Sequence, residues 1–101
     1  MSNLFYRFNS NNIKLNITKN NKIIGSLSSV IFNNTLFINK IFVNEEYRFK
    51  NYGTYLMNST EIILRQYYSN VNNIKLVIKQ YPNEYLTFFY KIGYKKYDVT
   101  F

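Results

Sequence analysis

The sequence predicts a mixed α and β domain in which an antiparallel meander feeds a β-α-β unit and a second short helix. Three observations carry that expectation. Four β-rich runs follow one another before residue 44, separated only by short polar turns. From Asn51 the apolar period changes from two to nearly four. A strand-like run then precedes a stretch closed by Gly93.

"LFYRF" (4–8) and "IKLNIT" (13–18) read as short strands joined by a Ser/Asn turn. "KIIGSLSSVIF" (22–32) is β-rich, with Gly25 as a bulge or close-approach point. The Asn pair at 33–34 reverses the chain, because asparagine tolerates the positive φ of a tight hairpin. "TLFINKIFV" (35–43) is apolar enough to suggest a strand buried on both faces. Leu56, Thr60, Ile63 and Tyr67 then fall on one face of a helix of four or five turns, with Met57, Leu64 and Tyr68 beside them. "IKLVIK" (74–79) is a strand, 81–93 a short helix entered at Pro82 and Asn83, and 94–101 a final strand. Strand, long helix and strand form a right-handed crossover. All 101 residues are expected to form one domain.

Composition narrows the chemistry. There is no cysteine and no histidine, so thiolate zinc sites, thiol nucleophiles and a serine–histidine triad are excluded, and no metal is expected. Neither a membrane span nor a secretion signal is visible, which predicts a cytoplasmic protein. Alanine is absent while Asn, Ile, Lys, Tyr and Phe dominate, the pattern of AT-rich codons in a large DNA virus, a phage or an AT-rich microbe. Part of the lysine content therefore follows codon bias. The net charge of +8 nevertheless favours polyanions, acidic surfaces and phosphorylated ligands.

"YRFKNYGTYLM" (47–57) places positive charge and one of three glycines between a strand and a helix. A helix start exposes unpaired N–H groups with a fractional positive charge, a natural seat for phosphate. Gly53 permits close approach, Asn51 tolerates a left-handed backbone, and Arg48 and Lys50 add mobile charge at the rim. An ordinary connection in which Asn51 caps the helix explains the same residues.

"IFVNEEYRFKNYGTYLM", followed by "PNEYLTFFYKIGYKKY", resembles the paired signature of the GNAT superfamily of acyl-CoA-dependent N-acetyltransferases over roughly residues 22 to 98. Arg48, Asn51 and Gly53 fall on the Gln/Arg-x-x-Gly-x-Gly/Ala pattern, with Asn51 where glycine is usual, and Gly93 and Tyr94 match the later Gly-Phe pair. The resemblance implies a GNAT-like mixed sheet with reduced or absent N-terminal helices. It implies acetyl-CoA as co-substrate, its pantetheine arm paired with main chain at Ile41 and Val43. Its pyrophosphate would rest on Phe49, Lys50, Asn51, Tyr52, Gly53 and Thr54, with Arg48 at the rim. The family's proton-donating tyrosine stands four residues before the glycine. Phe89 holds that place here, and the neighbouring Tyr90 is the catalytic candidate. No general base can be named, since "TLFINKIF" has no carboxylate, Glu45 and Glu46 are expected to face solvent, and Glu84 suits a helix start.

Only "NSNN" stands where the family inserts helices, so the acceptor side should be open or completed by a second subunit, as in a homodimer. The expected acceptor is a protein or a small amine, and an open site suits a lysine or chain terminus on a macromolecule better than a small metabolite enclosed on all sides. Three readings follow in order: an N-acetyltransferase; a GNAT-like interaction module without catalysis; and a nucleic-acid binder in which Phe37, Phe42 and Tyr94 stack on bases.

Overall fold

The computed structural model describes residues 2–48 and 50–77. Strands β1 (Ser2–Phe8), β2 (Asn12–Lys19), β3 (Lys22–Phe32) and β4 (Thr35–Val43) lead into a 3₁₀ turn, Glu45–Tyr47. Helix α1 (Tyr52–Tyr67) and strand β5 (Asn73–Leu76) follow. The sheet order is β1-β2-β3-β4-β5. Its first four strands are antiparallel, and α1 carries the chain across to set β5 parallel to β4. This is the expected mixed α and β class. The expected helix over 81–93 and strand over 94–101 lie outside the described residues.

Asparagine makes the hairpins. Asn33 and Asn34 have φ of 48° and 61°, the doubly left-handed geometry that matches strand twist. Asn20 and Asn21 repeat it between β2 and β3, at 53° and 63°. Between β1 and β2 the side chain of Asn9 accepts from the N–H groups of Asn11 and Asn12, closing the turn without an inserted helix.

Strict alternation along β2 sends Ile13, Leu15 and Ile17 to the face that α1 covers. Leu27, Leu36, Ile38 and Leu76 join them from the other strands, and Leu56 and Met57 pack down from the helix. Each fully buried aliphatic side chain contributes roughly 1.5–3 kcal/mol. Buried hydroxyls are satisfied locally: Ser29 donates to the Ile13 carbonyl and Thr60 to that of Leu56, both at 2.9 Å.

Two expectations need correction. Strand β4 is not buried on both faces, for Asn39, Lys40 and Phe42 are exposed. Helix α1 covers one side of the sheet only, and apolar content alone cannot report that. Tyr67 is also exposed, at 57%, and does not join the buried helix face. That face is completed by Met57 and Leu64. Gly25 sits where backbones approach: a Cβ there would stand 3.2 Å from the Phe42 carbonyl oxygen. The bulge itself falls on its neighbour Ile24, since the register passes from Ile17–Gly25 to Thr18–Ile23.

Two outcomes are expected. Leu56→Ala leaves a cavity under the helix and costs about 2–5 kcal/mol in urea unfolding. The Tyr68 hydroxyl donates to the Asn9 carbonyl, and burial pushes its phenol above the ordinary 10.0. The unfolded chain then releases this proton first. The contribution is complete below the unfolded value and is lost as pH rises through the folded one. Tyr68→Phe should flatten the alkaline limb of a stability–pH curve.

Candidate functional site

The last main-chain bond from β5 to β4 among the described residues joins the Val77 N–H to the Ile38 carbonyl at 2.8 Å. Strand β4 continues to Val43, held there by β3. Next to it the β3–β4 register passes from Ser29–Ile38 to Ser28–Lys40, making Asn39 the extra residue of a bulge. A bulge bends its strand and sharpens its twist. Asn39 therefore bends β4 just beyond its described contact with β5.

Main-chain direction beyond the bulge follows from one bond. The Asn44 N–H donates to the Ile24 carbonyl at 2.7 Å. Antiparallel ladders alternate, so Gly25–Val43 and Leu27–Ile41 are the non-bonded pairs. The N–H and C=O groups of Ile41 and Val43 consequently point away from β3, toward the β5 side. Their side chains lie in the core, both 7% exposed.

The loop after β4 is built rather than loose. The Asn44 side chain accepts from the Glu46 N–H at 3.3 Å and starts the 3₁₀ turn, with Glu45 and Glu46 exposed. Arg48 is not a mobile rim charge: its Nε–H donates to the Val43 carbonyl at 2.9 Å, and the residue is half-buried. It ties the loop back to the strand end. Lys50 is the exposed cation, its Nζ 5.7 Å from the centre of the Tyr47 ring.

Asn51 has φ 67° and ψ 13° and makes no side-chain cap bond. An ordinary cap lies in the extended region and satisfies an N–H of the first turn with its side chain. Here the left-handed turn aims the side chain elsewhere, while the Asn51 carbonyl accepts from the Tyr55 N–H at 3.0 Å. Tyr52, Gly53 and Thr54 then form a first turn whose N–H groups point out of the helix end. Gly53 lies within the helix, whose backbone asks for no positive φ there. The ring of Tyr52 meets that of Tyr47 edge-on at 6.1 Å.

Lys19 was not foreseen from the sequence. It reaches from the β2–β3 hairpin to stand 5.5 Å from the Tyr47 ring centre, so two lysines flank one tyrosine beside the helix mouth. The Asn-Asn pair at 20–21 was its one available signal. Phe49, Tyr90, Phe89 and Glu84 lie outside the described residues. The structure thus brings together Ile41, Val43, Arg48, Lys50, Asn51, Tyr52, Gly53 and Thr54 at one end of β4. Among the described residues no cluster could hold a metal ion.

A family profile described as the acetyltransferase (GNAT) family matches residues 3–94. The chain belongs to this family. A comparison with curated proteins finds no match. Among solved structures, this GNAT chain is similar to the PaiA N-acetyltransferase of Thermoplasma acidophilum, solved with coenzyme A. The TM-score is 0.72 at 20% identity, over 82% of this chain and 51% of that one. A Bacillus anthracis protein in complex with acetyl coenzyme A gives 0.72 at 25%, over 87% and 49%. The ribosomal-protein-S18-alanine N-acetyltransferase of Escherichia coli gives 0.69 at 14%, over 85% and 54%. The chain spans about half the length of these GNAT structures.

The left-handed corner makes a direct prediction. Asn51→Gly should leave stability within about 1 kcal/mol of the parent, whereas Asn51→Val should cost roughly 1–3 kcal/mol in urea unfolding.

Proposed function

We propose that this chain is a minimal acyl-CoA-dependent N-acetyltransferase that moves an acetyl group to an amine. The observation that carries the reading is the pairing of two features at one end of β4: a helix start without a side-chain cap at Asn51, and a strand edge at Ile41 and Val43 directed away from β3. The first suits a diphosphate and the second suits an amide-bearing arm. Family membership supplies the ligand that has both.

In this reading, the N–H groups of Phe49 through Thr54 hold the pyrophosphate, and Lys50 and Lys19 add charge beside it. Arg48 acts as a positioning residue through the Val43 carbonyl. The main chain of Ile41 and Val43 orients the pantetheine arm. Acetyl-CoA supplies an activated acyl group as a thioester; the chain's own work is orientation, exclusion of alternative geometries, and delivery of a proton. Tyr90 is the candidate donor of that proton to the departing sulfur. The amine's own proton leaves to water, for no carboxylate among the described residues lies on β4.

The short Asn9–Asn11 turn leaves no inserted helix to wall the acceptor side, which favours a lysine or terminus presented by a macromolecule.

Acetyl-CoA at one hundred times its dissociation constant should add about 2.7 kcal/mol of stability and raise Tm. Gly53→Glu, placing a carboxylate where the diphosphate would rest, should abolish the shift while leaving the fold intact by circular dichroism. Unchanged melting of the parent protein in saturating CoA would reject the proposal. A shift with CoA but no thiol release against lysine peptides would leave a CoA-binding module without transferase activity.

A further inference from the structure

We infer that the sheet face turned away from α1 is a docking surface for single-stranded nucleic acid. The register supplies what composition could not. Residues directly opposite in antiparallel strands share a face. Arg7 pairs with Lys14, Lys14 with Ser28, and Ser28 with Lys40, so one row crosses four strands and carries three cations. All three are exposed. With strands about 4.8 Å apart, the row extends about 14 Å. The next row toward the Asn20–Asn21 hairpin runs Phe5, Asn16, Ser26, Phe42, and its two rings are 57% and 38% exposed. On the other side of the cations, Phe37 stands half-buried beside Val30.

The fold does not require this arrangement. Arg7 and Lys14 are like charges placed directly opposite, which destabilises a sheet. No aspartate or glutamate occurs on any of the five described strands. Codon bias would scatter lysine over the whole surface, yet α1 carries a single cation, Arg65. A line of cations between rings fits a chain of phosphates whose bases stack on flat side chains. A second copy of this chain would bring two cation rows together, and an acidic peptide would leave the rings unused. The surface shares β4 with the candidate cofactor site but uses side chains of the opposite face, and the inference does not rest on the transferase reading.

The test uses the full chain and labelled oligouridylate and oligothymidylate, followed by fluorescence anisotropy across a salt series. Binding is expected to weaken steeply with salt, and the double variant R7S/K14S should reduce the slope of log K against log salt by about 1.4. Phe5→Ser should weaken binding about five-fold or more at fixed salt. A duplex of equal length should bind less tightly than either single strand. Both variants should keep the parent's Tm shift with acetyl-CoA, so a failure here is distinguishable from a failure of the transferase reading. No binding, salt-insensitive binding, or equal affinity for duplex would overturn the inference. So would an equal loss from Arg65→Ser, which marks diffuse attraction to net charge. Self-association in sedimentation that Phe5→Ser abolishes would assign the face to a second copy instead.

Discussion

The direction of the chain as it leaves β4 governs the rest of the molecule. Three local interactions fix it within a few residues: the Asn44 N–H on the Ile24 carbonyl, the Arg48 guanidinium on the Val43 carbonyl, and the left-handed turn at Asn51. Together they start α1 beside the strand end, so that Leu56 and Met57 drop onto the sheet. Among the described residues, β5 pairs with the first half of β4. Packing and candidate chemistry therefore share one junction, and neither can change without the other.

Much of the fold was legible because its signals are local. Strands β3 and β4 have the limits that hydrophobic pattern and the Asn33–Asn34 turn suggested, and the period change at Asn51 marked α1. What stayed hidden depends on partners distant in sequence. Apolar residues on β4 read as two-sided burial, yet Phe42 is 38% exposed on the face away from α1, and residue type alone does not show which face α1 covers. Arg48 read as a loose cation because its acceptor is a backbone carbonyl, which leaves no trace in a residue pattern. Lys19 enters the site through a hairpin whose asparagine pair is spelled like the one at 33–34. The loop residues themselves were marked by type: a glycine, an asparagine and charge at a strand-to-helix step.

A sheet with one described helix has two unequal faces. The covered face is nearly all aliphatic and holds the chain together. The opposite face mixes rings, amides and cations, and it contributes little to the core. Short connections enforce this division, since the Asn9–Asn11 turn is closed by its own side chain and leaves no length for an element to fold back. Among the described residues no helix covers the second face, and on an exposed face binding properties can diverge without loss of fold.

Among the described residues, all five positive-φ positions outside glycine are asparagines, four at hairpin tips and one at the start of α1. Each is a side-chain amide exposed to water. Heat-adapted proteins shed this residue because it is chemically labile. The corners of this meander are thus its perishable parts: prolonged warmth would erode the turns one amide at a time, whatever the melting point of the aliphatic interior.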